Sequence, residues 1–474
     1  MFNLQQTRVP ETRRTSLGPR LVIAGTHSGV GKTTVASGLM AAMRLRGRGV
    51  ASAKVGPDFI DPGYHALACG RPGRNLDAWM CGPDLIAPLA ARAAASADVL
   101  VVEGVMGLFD GAGDGTQSST ADIALLLDAP VLLVVDCAAQ AASVAALVHG
   151  FATFEPRLNL AGVVLNRLAS AGHERMVREA LSAMARPVPV VGALHRDERL
   201  AWRDRHLGLV PVAERPEAVH ASLEVLAQAV LAQCDLQAIE TVARAAPVLN
   251  VDGPPLPQHV GSARVAIATG KAFTFSYPDN AEALSAAGAE ILEFDPLSDS
   301  ELPERVDAIV VGGGFPEVMA QQLSANAPLL ADVRHKVALG LRVWAECGGL
   351  LWLASSLDGH PMAGVVDTSA SMTSKLTLGY RTAVCRTTTP LGRSGTVLRG
   401  HEFHYSQVAP EGDALHLRGA FGGGVAGFAT PNLLASYLHV HLAGQPQLAE
   451  AFVRCAAQAT FAEAGSPRST SQAS

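Results

Sequence analysis

Cysteine is scarce. Seven occur in 474 residues, and no two stand at the C-x-x-C spacing of a zinc or redox pair. That excludes a disulfide framework and fits a reducing compartment. Most of them, such as Cys69, Cys137 and Cys455, read as small buried hydrophobes. Basic clusters are also missing. The 37 lysines and arginines are spread along the chain against 43 acids, for a net charge of -6, so nothing marks a nucleic-acid surface. No apolar run approaches the ~18–20 residues of a membrane-spanning helix. Met1 to Arg20 is polar where a signal peptide would be apolar. These absences predict a cytoplasmic protein with neither a nucleic-acid nor a membrane partner.

What is present is a chain too long for one core, since domains cluster at ~100–200 residues. Apolar runs of strand length lie at 21–24, 98–103, 130–136 and 160–166, with helical patterns between them. Continuous apolar runs of this kind fit parallel strands buried on both faces, so the expected class is α/β with a doubly wound parallel sheet. Pro247, Pro254, Pro255 and Pro257 interrupt the next stretch. A second α/β succession follows, with runs opening at Arg264, Asp307 and Leu341. The expected boundaries are a flexible tail over 1–19, a first domain over 20–235, a linker over 236–262, a second domain over 263–463 and a disordered tail over 464–474.

Gly25-Thr-His-Ser-Gly-Val-Gly-Lys-Thr-Thr34 leaves the first predicted strand and opens a helix, the setting of a phosphate-binding loop. Gly29 and Gly31 let backbone N–H groups curl around an anion, and the helix start adds partial positive charge. Lys32 is placed to reach the β and γ phosphates, with Thr33 and Thr34 beside it, and the Thr33 hydroxyl suits Mg²⁺. Five residues rather than four separate Gly25 from Gly31.

Glu103 ends a predicted strand, at the sheet edge where open α/β folds bind ligands. There it can hold or orient Mg²⁺. Asp110 follows in a glycine-rich stretch, and Asp58 and Asp61 share the Pro-bounded loop Lys54-Val-Gly-Pro-Asp-Phe-Ile-Asp-Pro62. Each of these aspartates could instead form a turn or cap a helix. Asn166 ends the fourth strand, where either a nucleobase contact or a turn would use it.

Trp344-Ala-Glu-Cys-Gly-Gly-Leu350 runs from a strand into a helix with Cys347 at the turn, a nucleophile elbow with sulfur in place of oxygen. The helix start helps to lower a thiol pKa. Val311-Gly-Gly-Gly-Phe-Pro-Glu317 could supply backbone N–H groups to an oxyanion. A thiolate needs a base, and histidine is usual. His439 and His441 of Ser436-Tyr-Leu-His-Val-His441 compete with the histidines of Gly400-His-Glu-Phe-His-Tyr-Ser406, and spacing alone does not choose.

With both motif sets in view, the chain from about Arg20 to His441 resembles the cobyrinate and hydrogenobyrinate a,c-diamide synthases of cobalamin biosynthesis. The resemblance rests on the stretches above together with Val-Glu-Gly-Val-Met-Gly-Leu-Phe-Asp-Gly111 and Arg205-His-Leu-Gly-Leu-Val-Pro211. The longer loop spacing is usual in the wider group that includes dethiobiotin synthetase. The resemblance implies an N-terminal synthetase domain and a C-terminal class I glutamine amidotransferase-like domain. Its substrates would be ATP, glutamine and a corrin-ring precursor, with Mg²⁺ as cofactor; a homodimer is among the assemblies open to it.

The resemblance assigns Cys347 as nucleophile and His439 as its activator, and it maps the synthetase acids onto Asp58, Asp61, Glu103 and Asp110. Ordinary class I glutaminases carry a glutamate two residues after the histidine. His441 stands there instead, and Glu402 is the candidate substitute. Cobyric acid synthase and sirohydrochlorin a,c-diamide synthase are neighbouring readings. An ATP-driven switch of the partitioning-protein type would share the phosphate loop but would have no use for the cysteine elbow.

Overall fold

The computed structural model describes residues 14–111, 118–197, 204–205, 208–209, 211–214, 216–420 and 422–459. Residues 206, 207 and 210 of the stretch 205–211, quoted above, lie outside these residues, as does all of 464–474.

The apolar runs of the first half become a seven-stranded sheet. Its order across the sheet is Arg74–Leu76, Val50–Val55, Val99–Glu103, Arg20–Gly25, Val131–Asp136, Leu160–Leu168, Val190–His195, and every pairing is parallel. Alternate residues feed two cores, because successive strand side chains point to opposite faces. Val22, Ala24, Leu100 and Val102 enter one, while Leu21, Ile23, Val99 and Val101 enter the other. Burying each such Val, Leu or Ile contributes ~1.5–3 kcal/mol, which is why these strands read as continuous apolar runs.

Two segments expected to be loose are folded. Thr15–Leu17, within the expected tail, pairs antiparallel with Leu249–Val251, within the expected linker, and Leu17 is fully buried. Leu236–Arg244, also within that linker, is a helix whose first turn is capped by Asp235 accepting from Ala238 N at 2.9 Å. Its Leu236, Ile239 and Ala243 enter the first-half core.

The second half contains a six-stranded sheet in the order Ala289–Phe294, Ala263–Ala268, Ala308–Val311, Arg342–Glu346, Leu433–Ser436, Phe428–Thr430. Only the last pairing is antiparallel. A further sheet, mainly antiparallel and absent from the sequence expectation, is built around the long hairpin Ser369–Cys385 and Val397–Ala409.

The halves pack against each other. Tyr277 and Ala443, from the second half, are part of a first-half core. Arg74 makes ion pairs with Glu282 at 2.5 Å and Asp279 at 3.2 Å, and Arg92 also pairs with Asp279. The Tyr380 hydroxyl donates to Asp77 Oδ2 at 2.7 Å, and its ring stacks on Trp79. No helix among the described residues is long and apolar enough to cross a membrane.

Candidate active site

The phosphate loop leaves the central strand of the first sheet. Gly29 and Gly31 take left-handed φ values of 82° and 94°. Gly31 precedes the helix Lys32–Leu45, and a Cβ there would lie 2.3 Å from Asn166 Nδ2. Glycine is therefore required at 31 for both conformation and space. Asn166 Nδ2 donates to Val30 O at 2.8 Å, and its Oδ1 accepts from Arg167 N at 2.9 Å. The amide nitrogen thus braces the loop from behind, and the bond to Arg167 N fixes the side chain that does so. Burial, then the nearby Lys54 ammonium, brings Lys32 down to about 8.

Oxygen donors converge beside this loop. Thr33 Oγ1 donates to Glu103 Oε1 at 2.7 Å and lies 3.4 Å from Asp61 Oδ2. The register that pairs Lys54 with Glu103 across neighbouring strands brings in a buried lysine. Its Nζ donates to Asp61 Oδ2 at 2.6 Å, Glu103 Oε1 at 2.9 Å and Gly104 O at 3.1 Å. His65 Nε2 donates to Glu103 Oε2 at 2.6 Å.

Burial alone would raise the Glu103 carboxyl. Lys54 and His65 outweigh it and hold the group well below the usual carboxylate range. Asp61 is pushed up by burial and by Asp58. One hydroxyl and two carboxylates form a hard-oxygen set, the donor type that Mg²⁺ takes together with phosphate oxygens. Asp58 and Asp110 shape their own turns. Asp58 Oδ1 accepts from Ile60 N at 2.7 Å and Asp61 N at 3.3 Å, and Asp110 Oδ2 accepts from Gly107 N at 2.8 Å.

In the second half, Cys347 leaves the strand Arg342–Glu346 and begins the helix Gly348–Leu353, with φ 48° and ψ -102°. That backbone is strained for a residue with a Cβ, as at other nucleophile elbows. It is held by Cys347 N donating to Ser436 O at 2.7 Å. A Cβ on Gly349 would lie 2.2 Å from Val311 O, so the helix can start this close to the neighbouring strand only with glycine. Gly314 N is 3.1 Å from where a Cβ on Gly348 would sit. That brings the glycine-rich turn against the start of the helix, while Gly313 N already donates to Phe275 O at 3.2 Å.

Cys347 acts on the His439 imidazole from close by. Glu346 Oε2 stands 3.5 Å from His439 Nδ1, an ion-pair separation rather than a short hydrogen bond. Glu346 Oε1 accepts from Val440 N at 2.9 Å, which fixes the carboxylate. Burial would lower the imidazole; Cys347 and Glu346 outweigh it and raise it to about 10.

The other histidines go elsewhere. His441 is fully buried, lies tilted against Tyr277 with centroids 4.5 Å apart and is lowered by burial to about 4. His401 stacks on His439 at 4.9 Å and is held well below 6.5 by burial. His404 lies flat on Tyr437 at 3.6 Å. Glu402 accepts from Arg381 Nε at 2.8 Å, so the acid beside His439 is Glu346 and not Glu402. No group of metal-ligating His, Cys, Asp and Glu side chains occurs among the described residues.

Residues 21–209 match the profile of the CobQ/CobB/MinD/ParA nucleotide binding domain, and residues 264–447 match that of the CobB/CobQ-like glutamine amidotransferase domain. A Streptomyces coelicolor protein named hydrogenobyrinate a,c-diamide synthase is 48% identical, over 92% of this chain and 97% of its own length. The chain belongs to the hydrogenobyrinate and cobyrinate a,c-diamide synthase family. Within that family, a Thermobifida fusca hydrogenobyrinate a,c-diamide synthase is 47% identical over 92% of this chain and 96% of its own. A Synechococcus protein named cobyrinate a,c-diamide synthase is 41% identical over 93% and 99%.

Four residues with no signature of their own in the sequence stand at these sites: Lys54 and His65 at Glu103, Glu346 at His439, and Phe59 between the two halves. Lys54 and Glu346 lie inside the quoted motifs and meet their partners through strand pairing, whereas His65 reaches Glu103 from the helix Asp61–Cys69.

Proposed function

We propose that this family member uses ATP and glutamine to convert the a and c carboxylates of hydrogenobyrinate into primary amides. The observation that carries this is one chain joining a phosphate loop backed by Thr33, Asp61 and Glu103 to a strained cysteine beside a buried histidine that faces Glu346. Gly29, Gly31, Lys32, Thr33 and Thr34 receive the nucleotide phosphates, with Asn166 bracing their loop. Thr33, Glu103 and Asp61 would hold Mg²⁺, which would supply charge to offset that building between the β and γ phosphates.

A ring carboxylate, oriented by the loop of Asp58 and Asp61 and by the turn at Asp110, attacks the γ-phosphorus. ADP leaves, and the acyl phosphate remains. Cys347 attacks the glutamine amide carbon as thiolate, the C–N bond breaks and His439 gives its proton to the departing ammonia, leaving a glutamyl thioester. Water, giving a proton back to His439, then hydrolyses the thioester to glutamate and restores the thiolate. Glu346 keeps the imidazolium charged and oriented. The ammonia nitrogen then displaces phosphate from the acyl carbon, forming the amide. A second cycle amidates the other carboxylate. The reaction is assigned to the cytoplasm, in keeping with seven unpaired cysteines.

The test is the purified protein with ATP, Mg²⁺, glutamine and metal-free hydrogenobyrinate, followed by mass spectrometry. Two successive losses of ~1 Da, each an OH replaced by NH₂, are expected. Turnover of cobalt-containing cyrinate alone would move the enzyme to the family's other substrate. No turnover of either ring would overturn the reading.

A further inference from the structure

Phe59 lies on the loop that carries Asp58 and Asp61, yet its ring reaches the other half. It stacks on Phe275 at 5.3 Å with 7° between planes, and lies 4.5 Å from the Tyr277 ring. The His439 imidazole is 4.9 Å away and that of His401 is 5.6 Å away. At its base the loop is stiff. Asp58 binds the Ile60 and Asp61 N–H groups, Asn75 Nδ2 donates to Gly56 O and Asp58 O at 2.8 and 2.7 Å, and the Tyr277 hydroxyl donates to Pro57 O at 3.2 Å.

Two positions along from Phe59, Asp61 meets Thr33 and Lys54. On the far side, Phe275 exchanges backbone hydrogen bonds with Gly313, the residue directly under His439. A path thus runs from the phosphate-loop threonine to Asp61, along the loop backbone to Phe59, and from its ring to His439.

We infer that Phe59 is a positioning residue that couples the two reactions: when the Asp58–Asp61 loop engages nucleotide and ring carboxylate, it sets this ring against His439 and so makes glutamine cleavage depend on the occupied synthetase site. The loop is a short turn, so a shift of its acids moves the ring with them. The ring lies against the imidazole with 51° between planes, and such a tilted aromatic contact changes with small movements of either ring. Coupling of this kind usually changes a rate or affinity ~5- to 150-fold. The inference rests on the amidotransferase reading.

The experiment measures glutamate release with glutamine alone, then with ATP, Mg²⁺ and hydrogenobyrinate added, in the wild type, Phe59→Ala and Phe59→Leu. Amidation driven by ammonium chloride is measured in parallel. In the wild type, the added substrates should raise glutamate release at least ~5-fold. Phe59→Ala should bring that ratio close to one while ammonium-driven amidation stays near wild type. Phe59→Leu keeps apolar bulk without a ring face and should give an intermediate ratio.

A full wild-type ratio in Phe59→Ala overturns the inference, as does a wild type that amidates but shows no stimulation. Loss of ammonium-driven amidation in both variants also overturns it, by confining Phe59 to the synthetase loop. A wild type that amidates neither ring with either nitrogen source instead defeats the underlying function.

Discussion

Substituting Gly313→Ala tests whether His439 acts from the place it occupies. Gly313 does not have a positive φ, so its backbone accepts alanine. The added Cβ would lie 2.5 Å from His439 Cε1, 3.2 Å from Nε2 and 3.3 Å from Phe275 Cβ. Carbon atoms settle at about 3.5–4.0 Å, so the imidazole must retreat by about 1 Å. Its retreat is obstructed by the Phe59 and His401 rings, each with its centroid 4.9 Å away, and Glu346 anchors its far side.

A misplacement of about 1 Å in a reacting group costs roughly 100-fold in rate, or about 2.7 kcal/mol of barrier. Overpacking adds about 1–3 kcal/mol against folding, which a chain of this size tolerates. Glutamate release from glutamine should therefore fall about 100-fold in kcat, with ammonium-driven amidation within about twofold of wild type. Glutamine-dependent kcat within about threefold of wild type would refute the reasoning, because His439 would then not need its observed position.

Cys347→Ala should abolish glutamine-driven amidation and keep the ammonium-driven reaction; loss of both would show that the two chemistries are not separate. Lys32→Ala should reduce amidation by roughly 100-fold or more with either nitrogen source, and normal steady-state rates would discard the phosphate-loop assignment. Glu346→Gln removes a charge that helps to raise His439 to about 10. The imidazolium that protonates ammonia is lost as pH rises through its pKa, so the alkaline limb of the glutamine-driven pH profile should move to lower pH. The ammonium-driven profile should not show this extra shift, and an unmoved limb would remove Glu346 from the role.

Arg74→Ala leaves Asp279 with one guanidinium and should lose about 3 kcal/mol in chemical denaturation near pH 7. Burial would raise the Asp279 carboxyl, but Arg74 and then Arg92 hold it below its ordinary 3.8. Its contribution is therefore full above that value and is lost progressively as pH falls from there toward the lower folded-state value, so the deficit should already be smaller near pH 3 than near pH 7; an equal deficit at both pH values would contradict this account.

The two motifs were legible because each is contiguous: a phosphate loop and a cysteine elbow need consecutive residues with fixed backbone geometry. The partners of those motifs depend on which strands become neighbours. Glu346 sits beside Cys347 in the chain, yet alternation along the strand would make it look like one more strand-end residue. It meets His439 because its strand pairs with Leu433–Ser436, in a register that sets Glu346 opposite Ser436. Lys54 likewise becomes part of the site through its pairing with Glu103. The helix over Leu236–Arg244 did leave a signal, an aspartate cap followed by apolar residues at 236, 239 and 243, which the prolines downstream outweighed. The antiparallel sheet left less. Much of the strand Ser369–Cys385 is only partly buried, so packing imposes a weak pattern there.

The missing acid two residues after His439 has a structural explanation in the contact between the halves. His441 offers Tyr277 a flat, neutral ring in a fully buried place, and Asp279, Arg92 and Arg74 act on it from close by. Asp279 and Glu282 already share those two arginines. A glutamate at 441 would give up the ring contact and bring a third acid to two guanidiniums, leaving a buried negative charge unmatched, at a cost of several kcal/mol. Glu346 approaches the His439 imidazole from the nucleophile's own strand, where Val440 N fixes it and the contact between the halves is undisturbed. The docking surface and the orienting carboxylate are therefore incompatible at position 441, and in this chain the carboxylate comes from the residue before the cysteine.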